Sequence, residues 1–431
     1  MWMRYWQVLR GNPDFARLWL SQVVSLLGDW FNTIVLSALV VRANPGGEGI
    51  AVSLLLLARF VPPLLLSPAA GVLIDRMNRK TLLIWSNLLR AVIVCSYIPL
   101  LNQPELINWV YVLVILQAAM ATVFEPGLVS LMNNIVPREQ LIEANTLFNV
   151  MWSVMLAFGA AIGGVVSEQF GDTTALMIDG LTFLVGAYLI WSIRGYRYVP
   201  RTTASHSAPS SEASHTGLRD GVHYLTKRPH LASLLWIKFG GSLGNVDALM
   251  TIYATQIFIL GTDGKLSLGI MYSAFGVGSV LGPLLMNRFN DETVSRMRSL
   301  VVIGFMLATV CWLVMGLATS LWILCLGLLI RSMGTSTNWT YSTAMIQKTA
   351  DDAYMGRVFS LDMMAYYVAT VISIVGHGAV IDRIGEENIA LLPLGMTGIA
   401  AVVLLIWTLM TRYFNRHPAP SQLQPAASSA D

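Results

Sequence analysis

The sequence predicts an all-α membrane protein with twelve transmembrane helices arranged as two six-helix halves. Hydrophobic residues make up 55% of the 431 residues and charged residues only 12%, with a mean hydropathy of +0.62. A soluble domain carries about twice that charged fraction. Apolar runs recur along the chain, each near the ~20 residues that a spanning helix needs. This pattern argues against a soluble enzyme, a secreted disulfide scaffold and a nucleic-acid binder.

The twelve predicted helices are the apolar windows that charges, Gly or Pro bound on both sides. They cover residues 17–41, 50–74, 81–102, 106–130, 141–167, 173–194, 231–259, 266–287, 299–318, 321–344, 357–382 and 389–413.

Four segments follow from these windows. Residues 1–194 are predicted to form an N-terminal six-helix bundle, 195–230 a cytoplasmic linker, 231–414 a C-terminal six-helix bundle and 415–431 a disordered tail. The linker is rich in Ser, Thr, His and Arg, and it is too polar to span a membrane and too poor in apolar residues to fold alone.

The distribution of basic residues predicts the orientation. If the N-terminus is cytoplasmic, twenty of the 27 Lys and Arg residues fall on the cytoplasmic side and three on the opposite side. Both termini are therefore expected to be cytoplasmic. The remaining four are Arg59, Arg90, Lys238 and Arg331, which lie inside or at the edges of apolar segments, where a charge is costly. Lys238 is expected to snorkel towards the headgroups, an alternative also open to Arg59 and Arg90.

Two further features concern the ends of the chain and its symmetry. Residues 1–10 have neither an apolar core segment nor a cleavage site, so we expect the first helix to act as its own insertion signal. A shift of 214 residues superimposes Gly164, Glu168 and Gly171 on Gly378, Asp382 and Gly385, and Gln117 on Arg331. This is a weak signal of a parallel two-half repeat.

The most informative motif lies between the second and third helices and reads Gly71-Val-Leu-Ile-Asp75-Arg76-Met-Asn-Arg79-Lys80. Gly71 permits close approach of a neighbouring helix, and Asp75 lies one turn later on the same face. Its carboxylate is placed to meet a helix N-terminus or to pair with Arg76 and Arg79. We interpret the motif, including Lys80, as a conformational latch that is made in one state and broken in another.

This loop resembles the signature GxLxDRxxRK of the major facilitator superfamily. The chain is also similar to the branch of bacterial drug and siderophore exporters that includes the macrolide and enterobactin exporters. That similarity rests on Leu18-Trp-Leu-Ser-Gln22 with Gly28-Asp-Trp30, Phe124-Glu-Pro126 to Ala144-Asn145, Ile178-Asp179 to Phe183, and Gly356-Arg-Val-Phe359. The resemblance implies a two-domain transporter that works by alternating access, with the Gly71 to Lys80 loop closing the cytoplasmic side in the outward-facing state.

Two departures from the proton-linked drug antiporters bear on coupling. Those proteins usually carry an Arg followed four residues later by Gly in helix four, where this chain has Gln117-Ala-Ala-Met-Ala121. Their Gly-Pro pair in helix five is also absent, since Gly159-Ala-Ala161 precedes Gly163-Gly164 here.

Coupling to protons or substrate needs a carboxylate at membrane depth. Asp29 is the first candidate because it lies twelve residues into helix one, ~18 Å from its cytoplasmic end. Asp247 occupies a similar depth in helix seven. Arg331 is the cation in the middle of helix ten, and Asp29 or Asp247 is its expected partner; a static ion pair is the competing interpretation.

The other candidates lie nearer the helix ends. Asp179 is expected to be a polar anchor at the outer end of helix six rather than a proton site. Glu125, next to Pro126, is expected near the cytoplasmic exit, where it either gates or simply meets water. Gln117 completes the candidates for coupling or substrate binding.

No catalytic, metal-binding or nucleotide-binding motif is present in the sequence, so neither an enzyme nor a cofactor is predicted. Cys95, Cys311 and Cys325 lack paired spacing and indicate no disulfide. The favoured function is proton-coupled export of amphipathic small molecules, such as drugs, macrolides or siderophores, from a bacterial inner membrane. The alternatives are a lysophospholipid or other lipid transporter and, less favoured, a non-transporting receptor or scaffold. The expected partners are the substrate, the bilayer and protons, with no nucleic acid, and the protein is expected to be a monomer.

Overall fold

The computed structural model describes residues 8–196, 211–351 and 354–417, and all secondary structure within these ranges is helical. We number the principal helices in chain order. They are α1 (Pro13–Ala43), α2 (Glu48–Arg76), α3 (Arg79–Tyr97), α4 (Ile107–Ile135), α5 (Leu141–Trp191), α6 (Ser211–Thr226), α7 (Leu235–Ser242), α8 (Asp247–Ile252), α9 (Lys265–Met286), α10 (Val294–Gly316), α11 (Leu321–Thr349), α12 (Met355–Ile384) and α13 (Leu391–Arg416).

Within the described ranges, nine helical stretches are long and apolar enough to cross a membrane. Two predicted helices, 141–167 and 173–194, appear as the two arms of α5, which bends at Gly171 (φ +81°, ψ 162°). The predicted helix 231–259 is broken into a turn at Pro229–Ala232, α7, α8 and a π-helical turn at Tyr253–Ile257.

Polar side chains fix several helix starts. Asn12 accepts a hydrogen bond from the Phe15 amide and is followed by Pro13, so α1 begins four residues earlier than predicted. Thr293 and Ser320 cap α10 and α11 in the same way.

The two halves, α1–α5 and α7–α13, repeat each other in register. Helices α4 and α11 are both 29 residues long and begin 214 residues apart, as do α5 and α12. Gly171 and Gly385, equivalent under this shift, both have a positive φ, of 81° and 69°. Glycine adopts this conformation at no steric cost. The structure therefore supports the internal duplication that the sequence indicates only weakly.

The segment predicted as an unstructured linker is partly helical. Residues 197–210 lie outside the described part of the chain, as does the predicted tail from 418 onwards. Helix α6 follows and packs on α12, where the ring of Tyr224 stacks on Tyr354 with centroids 4.2 Å apart. The sequence does not predict this helix, because its apolar face is small and is buried only by contact with the second half.

We call the end of the bundle with the loops 44–47, 258–264 and 385–390 the distal end. The linker end is the opposite one, with the loops 77–78 and 136–140 and the described residues Ala350, Asp351 and Tyr354. The two halves meet through α5 with α9 and through α2 with α12. These contacts place α1, α4, α8, α11 and α12 around the candidate site.

Candidate functional site

Asp29 and Arg90 form an ion pair in the middle of the first half. Asp29 is the seventeenth of the 31 residues of α1. Arg90 Nη2 lies 2.8 and 2.9 Å from its two carboxylate oxygens. The Asp29 side chain is 29% exposed and that of Arg90 only 8%, so the carboxylate is the accessible member. The Arg90 guanidinium also lies over the Phe183 ring at 4.2 Å, which favours a cation. Arg90 therefore does not snorkel.

Gln117 connects three helices beside this pair. Its side-chain oxygen accepts hydrogen bonds from Tyr97 Oη of α3 at 2.9 Å and from Asn32 Nδ2 of α1 at 3.4 Å. The guanidinium of Arg59 in α2 donates a hydrogen bond to Thr33 Oγ1 in α1 at 3.0 Å, so Arg59 does not snorkel. The middle of the first half is therefore a polar layer that joins α1 to α4.

Asp179 does not make the polar anchor that the sequence predicts. Its side chain is fully buried, and neither carboxylate oxygen has a hydrogen-bond partner. A methyl group added to Gly28 would collide with Asp179 Oδ1, so the carboxyl group lies directly against α1, one residue from Asp29. The second arm of α5 thus delivers a second carboxyl group to the Asp29–Arg90 pair.

Glu125 lies on α4 beside Pro126, and its side chain is exposed. It is close enough to interact electrostatically with Arg90 and Asp29, and with Tyr367 of the second half. Groups of both halves therefore act on Glu125, and its gating role stays a prediction.

Asp247 forms the corresponding site in the second half. It begins α8, just after the break between α7 and α8. Its carboxylate accepts hydrogen bonds from Asn245 Nδ2 at 2.9 Å and Tyr272 Oη at 3.2 Å. The Tyr272 ring contacts Trp30, which follows Asp29 in α1, with centroids 5.1 Å apart. Asp29 and Asp247 therefore lie on either side of one aromatic contact between the halves.

Lys238 and Asp362 form a buried ion pair that the sequence analysis missed. Lys238 Nζ lies 2.5 Å from Asp362 Oδ2, with side-chain exposures of 1% and 0%. The ammonium group also lies 4.3 Å from the centre of the Trp339 ring. The expectation that Lys238 snorkels is wrong, because a carboxylate on α12 meets it inside the bundle. An acidic residue within an apolar helix was the signal available in the sequence.

Arg331 has a different partner from the one predicted. It is buried, and its Nη2 donates a hydrogen bond to the carbonyl oxygen of Gly244 in the break between α7 and α8. The guanidinium lies over the Trp312 ring at 4.8 Å. Among the described residues it forms no ion pair, so the prediction of an Asp29 or Asp247 partner is wrong. A carbonyl freed by a broken helix needs a donor, and Arg331 supplies it.

The predicted latch is described only in part. Gly71, Asp75 and Arg76 lie in the last turns of α2, and their side chains are outside the described part of the structure. Arg79 begins α3, and Lys80 Nζ donates to the carbonyl oxygen of Ile193 at 2.6 Å. Lys80 thus joins α3 to the end of α5, and the latch stays a prediction.

Carboxylates join the two halves at the distal end. Asp382 of α12 accepts hydrogen bonds from the amides of Gly49 and Ile50 in the first turn of α2, at 2.7 and 3.0 Å. Glu168 of α5 accepts one from the amide of Thr262, just before α9, at 2.5 Å. Asp382 thus meets the positive end of α2, and Glu168 meets the short 3-10 turn Thr262–Gly264 that precedes α9.

Two ion pairs add to these distal contacts. Arg42 lies 2.8 Å from Asp263, and Lys265 lies 2.7 Å from Asp172. The hydrogen bonds and ion pairs between the halves that are described here all lie towards the distal end, so polar contacts hold the halves together at this end.

A crevice of about 700 Å³ opens between α7, α12 and α13 near the linker end. Its lining is apolar and aromatic, and includes Trp236, Phe239, Met410 and Phe414. In the described part of the chain, no cluster of His, Cys, Asp or Glu has the arrangement of a metal site.

Comparison with known proteins gives consistent results. The family model of the Major Facilitator Superfamily matches residues 18–374 and 245–429. The uncharacterized MFS-type transporter YfiS of Bacillus subtilis is 25% identical over 402 residues, covering 88% of this chain and 89% of that protein. Macrolide efflux protein A of Streptococcus pyogenes is 24% identical over 386 residues, covering 87% of this chain and 91% of that protein. The solved structure of the POT family transporter PepTSo shares the fold, with a TM-score of 0.69, 13% identity, and coverage of 94% of this chain and 99% of that chain.

Proposed function

The chain belongs to the Major Facilitator Superfamily, and from this premise we propose that it is a secondary active exporter of amphipathic small molecules, driven by protons. The single observation that carries the proposal is the Asp29–Arg90 pair, in which a mid-helix carboxylate is partly exposed while its arginine is buried. When the arginine leaves such a carboxylate, the carboxylate can bind a proton or a cationic group of the substrate. It releases that proton or cation when the arginine returns.

The membrane topology is part of the proposal. The nine apolar stretches become twelve spans when α5 is counted as two arms and when the broken α7–α8 segment and α11 are added. With both termini on the cytoplasmic side, the linker end faces the cytoplasm and the distal end faces outward. The described structure then corresponds to an inward-facing state, closed by the contacts of Asp382 and Glu168. The proposed location is a bacterial inner membrane and the proposed working form is a monomer.

The aromatic surroundings of the site favour an amphipathic substrate. Trp30, Tyr272, Trp339 and Tyr366 provide flat apolar surfaces next to Asp29, Asp247 and the Lys238–Asp362 pair. The export of a macrolide, which the name of one relative states, fits such a lining. Drugs, macrolides and siderophores are therefore the substrate classes to test first.

A lipid substrate is the second candidate. The apolar crevice between α7, α12 and α13 favours it, because an acyl chain needs an apolar path alongside the headgroup site. A lysophospholipid transporter of this kind needs no proton gradient, and the two proposals therefore differ in their response to an uncoupler.

The test is efflux of an amphipathic cationic dye from cells that express the wild type, Asp29→Asn or the control Glu105→Gln, which removes an exposed carboxylate from a distal loop. We expect the wild type and the control to extrude dye until an uncoupler collapses the proton gradient, and Asp29→Asn to fail. Dye extrusion that persists with the uncoupler would contradict proton coupling. Absence of dye extrusion, together with uptake of a labelled lysophospholipid, would favour the lipid transporter.

A further inference from the structure

Asp179 and Arg90 carry complementary, unused hydrogen-bonding groups. Both carboxylate oxygens of Asp179 are buried without a partner, and so is Nε of Arg90. Asn32 and Thr182 approach the carboxyl group, but neither donates to it with hydrogen-bond geometry. An ionised carboxylate in this position would lack both water and donors, at a cost of several kcal/mol.

The charges around Asp179 do not balance if every carboxylate is ionised. Asp179 interacts electrostatically with Asp29 of α1 and with Arg90 and Tyr97 of α3, while Arg59 of α2 and Glu125 of α4 interact with other members of this group. The group contains two guanidinium groups: Arg59 donates to Thr33, and both contacts of Arg90 Nη2 go to Asp29. Two guanidinium groups cannot neutralise the three carboxylates of Asp29, Asp179 and Glu125, so a neutral group requires one proton, and Asp179 is the carboxyl group that is fully buried without a donor.

We propose that Asp179 is a proton-carrying residue of this transporter, and that Arg90 exchanges between Asp29 and Asp179. The inference rests on the proposed proton coupling and names the residue that stores the proton. In the described state Arg90 pairs with Asp29 and Asp179 is a neutral acid. The opposite arrangement has Arg90 paired with ionised Asp179 and a proton on Asp29.

The exchange conserves charge. The O–H bond of Asp179 breaks, its proton forms a new O–H bond with Asp29, and the guanidinium moves from the Asp29 carboxylate to that of Asp179. Gly28 keeps the two carboxyl groups close, because its lack of a side chain lets α5 lie against α1 at this point. Asp29 is the partly exposed member of the two carboxyl groups. It then releases its proton, either to water or in exchange for a cationic group of the substrate.

Infrared spectroscopy of the purified full-length protein in nanodiscs tests the proton directly, without a substrate. We expect wild type near neutral pH to show the C=O stretch of a protonated carboxyl group in an apolar environment. This band is expected to disappear in Asp179→Asn and to persist in Glu105→Gln. A band that is unchanged in Asp179→Asn would overturn the assignment.

Asp29→Asn tests the exchange. This substitution releases Arg90, which then pairs with Asp179 and ionises it, so the same band is expected to disappear although Asp179 is intact. Persistence of the band in Asp29→Asn would overturn the exchange. Replacing Arg90 as well, in Asp29→Asn with Arg90→Gln, is expected to restore the band, and this also controls for misfolding. Because these spectra need no transported compound, they fail or succeed separately from the dye-efflux test of the proposed function.

Discussion

Glu168 and Asp382 occupy equivalent positions in the two halves, and each accepts backbone amide hydrogen bonds from the opposite half. Asp382 accepts from Gly49 and Ile50 at the start of α2, and Glu168 accepts from Thr262 before α9. A pair of symmetric carboxylate contacts thus closes the distal end. The same chemistry is predicted for Asp75 at the linker end, so the two ends would close by related contacts in alternate states.

Removing both distal carboxylates is expected to open the distal end. If each carboxylate contributes about 0.3–1 kcal/mol, the value for a charge at a helix N-terminus, then Glu168→Ala with Asp382→Ala should shift the equilibrium by about 3- to 30-fold. The measurement is the distance between spin labels at Gln103→Cys and Glu387→Cys in a background without the three native cysteines. An unchanged distance distribution in the double variant, equal to that of Glu105→Ala, would contradict this role.

The buried Lys238–Asp362 pair is expected to dominate the stability of the second half. Lys238→Met or Asp362→Leu alone leaves an uncompensated buried charge and should lower the free energy of unfolding by about 3–5 kcal/mol. The double variant should recover most of that loss. Unfolding in mixed micelles measures the free energy for the two single variants and the double variant. Arg42→Gln is the control, because the ion pair of Arg42 with Asp263 is exposed and is worth about 1 kcal/mol or less. Equal losses for the single and double variants would argue against the pair.

Docking of α6 on the second half is expected to depend on pH. Arg228 lies 2.8 Å from Asp351 and hydrogen bonds to it, which holds the pKa of Asp351 below its usual value. A carboxylate with a lowered pKa contributes stability above its unfolded pKa, of about 4, and loses it as the pH falls through the lower folded value. Hydrogen exchange of α6 should therefore be faster in acid, after correction for intrinsic rates. The Arg228→Gln variant should lack this added pH dependence; an identical acid response in both would exclude the contact.

The latch motif predicts a kinetic effect. Asp75→Asn should slow transport at least several-fold while leaving the fold intact, because the outward-facing state would lose its closure at the linker end. The initial rate of efflux at equal membrane expression measures this, with Asp291→Asn in an exposed loop as the control. A rate equal to that of the control would mean that the motif is only a positively charged loop.

The sequence predicts the local features of this protein but not the contacts between residues that are distant in the chain. The helices and the mid-helix position of Asp29 were predictable, because hydropathy and the 3.6-residue period are local properties. Partners were not, since they depend on which helices pack together. Arg90 meets Asp29 and Lys238 meets Asp362 across sequence separations of 61 and 124 residues. The sequence predicts a carboxylate partner for Arg331 because a buried cation usually needs one, but the break before α8 provides a carbonyl oxygen instead.

The most direct test of the central claim is dye accumulation by proteoliposomes that contain the purified protein and carry an imposed pH gradient, acidic inside. The account predicts that the wild type accumulates dye only while the gradient lasts, and that neither Asp29→Asn nor Asp179→Asn accumulates it. Equal accumulation with and without the gradient, or by wild type and Asp29→Asn alike, would contradict proton-coupled export through the Asp29–Arg90 pair.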